Sequence, residues 1–125
     1  MRVMARVLVA EDEAFTALAL VDYLESLGHA VADASDGAGA LKLADDFRPN
    51  VLVTDLMMPV MDGHELIRRL DARAEGAIPV ILITAVPEPR LPSELRYDGY
   101  LGKPVGYAAL GKLIDRLAGR PSPLP

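Results

Sequence analysis

Apolar runs of four or five residues alternate with longer stretches in which apolar positions recur every three or four residues, and the alternation repeats along the whole chain. That pattern is the mark of β-α-β units laid into a parallel sheet. The predicted strands are Val7 to Ala10, Ala30 to Ala34, Val51 to Thr54, Val80 to Thr84 and a short Gly99 to Leu101. Three of them are continuously apolar, as strands covered on both faces are. The second is weaker, which places it nearer an edge.

Between the strands, Ala17, Leu20, Val21, Leu24 and Leu27 keep helical spacing, and Gly28 follows where a left-handed cap would sit. Leu41, Ala44 and Phe47 mark a second helix that ends before Pro49. Leu66, Ile67 and Leu70 mark a third that opens at Asp62, where Asp62 and Glu65 resemble a capping box. Tyr107, Leu110, Leu113, Ile114 and Leu117 make the last helix, stopped by Gly119 and the tail PSPLP. One round is irregular. Between the fourth and fifth strands, VPEPRLPSELRYDG carries Pro87, Pro89 and Pro92, which argue against a full α-helix and leave at most a turn or two from about Pro92 to Arg96.

The chain has 125 residues, 51% hydrophobic and 25% charged, which suits one globular domain over 1–119 and a flexible tail over 120–125. There is no cysteine, so no disulfide framework and no thiolate metal site. No apolar run approaches the roughly 20 residues that span a bilayer, and the first residues lack the apolar stretch of a secretory signal. A soluble, cytoplasmic protein is expected. The net charge of −5 offers no basic surface for nucleic-acid phosphates.

In an open parallel sheet, ligands bind beyond the carboxyl ends of the strands, so the residues just past each apolar run belong to one set. Here they are Glu11 and Asp12, Asp55, Thr84 and Lys103. Gathered together, Glu11, Asp12 and Asp55 would repel one another unless a cation sat among them, and hard oxygen donors suit Mg²⁺. Mg²⁺ keeps open positions for phosphate oxygens. Lys103 adds positive charge and Thr84 a hydroxyl donor, the two group types a transferring phosphoryl group needs. Asp55 is then the expected nucleophile, with in-line displacement as the reaction.

The segments VLVAED, VTDLMMPVMDG, ILITA and GYLGKP span nearly the whole chain and resemble the four signatures of the receiver domains of two-component response regulators. The resemblance implies a flavodoxin-like α/β fold, a doubly wound five-stranded parallel sheet of order 2-1-3-4-5, here with a shortened or irregular fourth helix. It implies that Glu11 and Asp12 are the acidic pair, Asp55 the phosphorylation site and Met57 a metal ligand through its backbone carbonyl. Thr84 is implied as the switch hydroxyl, Tyr100 as the switch aromatic that turns inward when Thr84 moves, and Lys103 as the invariant-type lysine. Pro104 is implied to follow a cis peptide bond, and Ala85 to be the small residue that leaves the site open. The expected partners are a histidine kinase or phosphotransfer protein and a downstream protein target, with no nucleic acid bound directly and a monomer or weak dimer as the assembly. On this reading the domain is not an enzyme with turnover but a phosphoacceptor that assists its own phosphorylation and dephosphorylation.

Each acidic residue taken alone would more often be a helix cap or a solvated loop position; it is the joint arrangement with Thr84, Lys103 and Pro104 that favours chemistry. Met57, Met58 and Met61 are read as packing residues, and His29 and His64 as surface or capping residues. Two other functions remain open. A phosphohydrolase with an aspartyl nucleophile, resembling the haloacid dehalogenases, would need a second Asp two residues on, where Met57 stands. A receiver-like adaptor that no longer uses phosphate would be compatible with the irregular proline-rich segment.

Overall fold

In the computed structural model, which describes residues 4–119, the apolar runs become strands and the periodic stretches become helices. The order is β1 (Arg6–Ala10), α1 (Ala14–Ser26), β2 (Ala30–Ala34), α2 (Gly37–Phe47), β3 (Val51–Thr54), α3 (Gly63–Asp71), β4 (Val80–Thr84), a 3-10 turn (Glu88–Arg90), β5 (Gly99–Gly102) and α4 (Tyr107–Ala118). All pairings are parallel and the strand order is β2-β1-β3-β4-β5, the flavodoxin-like sheet expected. The tail 120–125, expected to be flexible, lies outside the described residues.

Successive strand residues point to opposite faces, and here both faces are apolar. Val7, Val9, Val51, Val53, Ile81 and Ile83 meet Leu20 and Leu24 of α1 and Leu110, Ile114 and Leu117 of α4. Leu8, Ala10, Leu52 and Leu82 meet Ala40 and Ala44 of α2 and Leu66, Ile67 and Leu70 of α3. Each leucine or isoleucine withdrawn fully from water in these layers stabilises the fold by about 1.5–3 kcal/mol before ordering costs are offset. β2 is half-buried along most of its length, in keeping with its edge position.

The helix ends follow local chemistry. Gly28 has φ 94°, and Gly28 N donates to Glu25 O (2.9 Å) while His29 N donates to Leu24 O (3.2 Å), a paired C-terminal cap that needs the left-handed glycine. Asp62 Oδ1 accepts from Glu65 N at 2.9 Å, but the reciprocal half of the expected capping box is not made, because the Glu65 carboxylate turns to Arg68 and Arg69. His29 corrects its surface reading. It is buried, and its Nδ1 accepts from Ala5 N at 3.0 Å, which ties the loop after α1 to the start of β1.

No α-helix joins β4 to β5. The turn expected near Pro92 to Arg96 lies earlier, at Glu88–Arg90, where Pro89 occupies a first-turn position whose N–H would have no partner anyway. Further on, only a single turn closes, from Leu95 N to Pro92 O (3.1 Å). Val86, Leu91, Leu95 and Tyr97 cover the α2/α3 side of the sheet in place of a helix. Arg96 pins the far end of this strap: it donates to both Asp71 carboxylate oxygens (2.7 and 2.8 Å), to Ile78 O (2.9 Å) and to Asp98 Oδ2 (3.1 Å).

Candidate functional site

Three residues of the proposed set, Glu11, Asp55 and Lys103, are each held one step beyond a strand by a continuation of the sheet's own hydrogen bonding. Glu11 N donates to Ala34 O (3.0 Å), Asp55 N to Ala10 O (3.0 Å) and Lys103 N to Thr84 O (2.9 Å). The strand order reverses between β1 and β3, so the crevice at the carboxyl ends of these two neighbours receives Glu11, Asp12 and Asp55. Residues far apart in sequence thus converge with backbones already fixed.

The carboxylates of Glu11, Asp12 and Asp55 each offer an oxygen within 4.8 Å of the others. Lys103 Nζ stands 2.7 Å from Asp55 Oδ2 and 2.6 Å from Glu11 Oε1. Glu11 and Asp55 are buried, Asp12 is exposed, and Lys103 keeps about a fifth of its side chain in water. Burial pushes the Glu11 carboxyl above its ordinary value, against the lowering effects of Lys103 and of the Glu13 N–H. Burial also works to lower the Lys103 ammonium. The hydrogen bond to Asp55 and the contact with Glu11 outweigh it, so the net shift is upward and the lysine stays charged. Lys103 approaches Glu11 Oε1 off the direction of a good hydrogen bond, and this buried oxygen keeps unused accepting capacity. Three carboxylates against one ammonium leave two negative charges uncompensated. The donors are all hard oxygens. Surplus negative charge, close oxygens and spare lone pairs fit a small divalent cation.

The loop from Leu56 to Asp62 closes the site from the α3 side. Met57 N donates to Asp55 Oδ1 (3.2 Å) and so orients the carboxylate; Met57, expected to pack, is 65% exposed, whereas Met58 and Met61 pack against the core as expected. Two glycines seat the loop. Gly63 N donates to Leu56 O (2.9 Å), and a Cβ on Gly63 would collide with the carbonyl oxygen of Asp55 itself. Gly37 N donates to Met61 O (2.9 Å), and a Cβ there would come within 2.5 Å of the same oxygen. Val60, at the exposed tip, has φ 68°, a left-handed conformation that a β-branched residue rarely adopts. Thr54 anchors the other side, donating from its buried hydroxyl to Asp55 O at 2.8 Å. Sequence reading missed Gly37, Gly63 and Thr54 as supports of Asp55; the Asp62-Gly63 pair signals a turn, but only the folded chain brings a carbonyl against the glycine.

Thr84 ends β4, buried, with Oγ1 accepting from Val86 N at 3.2 Å. Tyr100 lies in β5, half-buried against the α2/α3 core, and donates from its hydroxyl to Val86 O at 2.7 Å. Ala85 is exposed beside the site. The Lys103-Pro104 peptide bond is cis.

A sequence profile of the response regulator receiver domain matches residues 7–115. The chain is 36% identical over 116 residues to Protein PilH of Pseudomonas aeruginosa, covering 90% of this chain and 96% of that protein. It is 37% identical over 102 residues to a probable transcriptional regulator ycf27 of Porphyridium aerugineum, covering 79% of this chain and 42% of that protein. It thus spans about two fifths of the length of the second relative and nearly all of the first. Among solved structures, the receiver domain of sensor histidine kinase PA1611 from Pseudomonas aeruginosa, which has a magnesium ion coordinated in its active site cleft, superposes with a TM-score of 0.84. The two are 28% identical, over 94% of this chain and all of that one. The chain belongs to the response regulator receiver domain family of two-component signalling.

Proposed function

We propose that this receiver domain accepts a phosphoryl group on Asp55 from a phosphohistidine of a histidine kinase or phosphotransfer protein, and that the modification alters a surface read by a downstream protein. The observation that carries the reading is the convergence of Asp55, Glu11, Asp12 and the Lys103 ammonium at one rim of the sheet. Glu11, Asp12, Asp55 and the Met57 backbone carbonyl would hold Mg²⁺, which when bound neutralises charge on the phosphoryl oxygens.

The chain's own groups supply the rest. An Asp55 carboxylate oxygen attacks phosphorus, the P–O bond forms as the P–N bond to the donor imidazole breaks, and the imidazole leaves with its proton. Lys103, already 2.7 Å from Asp55, stabilises the negative charge that shifts onto the transferring group. Thr84 donates its hydroxyl hydrogen to a phosphoryl oxygen once the group is on Asp55. A phosphoryl group brings about −1.5 to −2 charges, so donors that reach it are strongly rewarded. Water then hydrolyses the Asp55 acyl phosphate, releasing inorganic phosphate and returning the free carboxylate, so the signal is self-limiting. No helix among the described residues is long and apolar enough to cross a membrane.

The test is phosphorylation by acetyl phosphate with Mg²⁺, followed by intact-mass measurement. One phosphoryl group per chain is expected on the parent, labile to hydroxylamine, and none on Asp55→Asn. Equal labelling of Asp55→Asn would remove Asp55 from the role. Thr84→Ala should still be labelled but respond poorly in partner binding.

A further inference from the structure

We propose that Thr54 is a positioning residue for phosphoryl transfer: its buried hydroxyl holds the Asp55 carbonyl, and the peptides fixed in this way aim the Met57 N–H at the Asp55 carboxylate. The inference rests on the reading of Asp55 as the phosphoacceptor and adds the side chain that sets the nucleophile's orientation.

Thr54 is the one polar residue of β3, VLVT, and it is fully buried. A valine would fill nearly the same volume without a hydroxyl to satisfy, so the hydroxyl is costly there unless it is bonded. The backbone supplies its partner. Asp55 N still donates to Ala10 O (3.0 Å), but the ladder between β1 and β3 stops at that bond, and no backbone N–H among the described residues reaches Asp55 O. This carbonyl accepts from Thr54 Oγ1 at 2.8 Å instead. On its other side lies Gly63, so close that a Cβ there would stand 2.2 Å from the oxygen. The start of α3 thus fills the space beside the carbonyl, and without the Thr54 hydroxyl Asp55 O would have no donor.

One peptide further on, Leu56 O accepts from Gly63 N (2.9 Å). In a trans peptide the C=O and N–H point opposite ways, so this bond turns the Met57 N–H away from α3 and onto Asp55 Oδ1 (3.2 Å). Two successive carbonyls are therefore gripped, the second by a backbone N–H and the first by a side chain. Thr54 is the part of this support that a substitution can remove while every backbone donor stays in place. With Asp55 O released, the peptide between Asp55 and Leu56 can turn in search of a donor, and the alignment of the carboxylate with the Met57 N–H and with Lys103 Nζ (2.7 Å from Oδ2) goes with it. A reacting group misplaced by about 1 Å loses about a hundredfold in rate; loosening one of the two grips is expected to cost about tenfold.

The rate of labelling of the whole chain by acetyl phosphate with Mg²⁺ tests this in two pairs that differ by the hydroxyl: parent against Thr54→Val, and Thr54→Ser against Thr54→Ala. In each pair the chain without the hydroxyl should label about tenfold more slowly, and Thr54→Ser should stay close to the parent. The Met57 amide resonance, recorded before Mg²⁺ or donor is added, should move in Thr54→Val and Thr54→Ala and hold its place in Thr54→Ser. Ile114→Val, a core change in α4, separates stability from positioning: it should melt below the parent and label at the parent's rate. If Thr54→Val does not fold, the Ser and Ala pair decides. Equal labelling within the pairs overturns the inference, and so does an equally slow Ile114→Val, which would leave Thr54 a role in stability alone. If the parent takes no phosphoryl group, or Asp55→Asn takes one equally, the phosphoacceptor reading fails first and this inference falls with it.

Discussion

At the scale of single residues, the loop beside Asp55 holds a conformational cost at one position and a steric limit at another. Val60 sits in the left-handed region and is 85% exposed, so it gains little from packing in return for its backbone strain. Replacing it by Asn, which tolerates that conformation, should raise the unfolding free energy by about 1 kcal/mol in urea titration. Gly63 is the opposite case. A methyl group there must displace the Asp55 carbonyl, so Gly63→Ala is expected to destabilise by about 1–3 kcal/mol and to slow labelling by acetyl phosphate even where the variant remains folded. Unchanged labelling in a folded Gly63→Ala would show that the carbonyl contact does not position Asp55. Neither residue announces itself in the sequence. A valine in a loop and a glycine after an aspartate are ordinary, and their meaning comes from a φ value and a neighbour that only folding supplies.

At the scale of elements, α3 illustrates how a local signal was half right. Asp62 caps the helix, but Glu65 serves Arg68 and Arg69 instead of closing the box. The hydrogen bond from Arg69 is the main cause that holds the Glu65 carboxyl below its ordinary value of 4.5. A depressed carboxyl contributes stability above its unfolded value and loses it as pH falls through the folded one. Glu65→Gln should therefore melt lower than the parent at neutral pH, and the two curves should converge as the pH falls below the ordinary value and through the depressed one, and in high salt. A difference that survived both conditions would assign the effect to packing. The β4–β5 connection was legible as an irregularity because three prolines exclude a helix interior, yet the position of its 3-10 turn and the Arg96 clamp were not. Arg96 meets partners 25 and 18 residues away, and no local pattern encodes that meeting.

At the scale of the whole molecule, the sheet gathers three carboxylates at one rim, and a divalent cation bound there would link site chemistry to stability. Mg²⁺ at about 100 times its Kd should add about 2.7 kcal/mol to the unfolding free energy, and a chelator should remove the gain. Asp12→Ala, which removes an exposed candidate ligand and leaves the core intact, should lose most of it; an equal Mg²⁺ response in that variant would place the cation elsewhere. The sequence by itself determined the parallel α/β architecture, because strands covered on both faces must be apolar throughout and helices covered on one face must repeat every three to four residues. It also determined which polar residues follow each strand, and so the membership of the candidate site. Only the tertiary structure decided that Lys103 lies between Glu11 and Asp55, that Gly37 and Gly63 seat the loop, that His29 is interior and that Val86 joins Thr84 to Tyr100. Periodicity records which side of an element meets water; distances between groups dozens of residues apart depend on how the layers stack, and no window of sequence contains both partners.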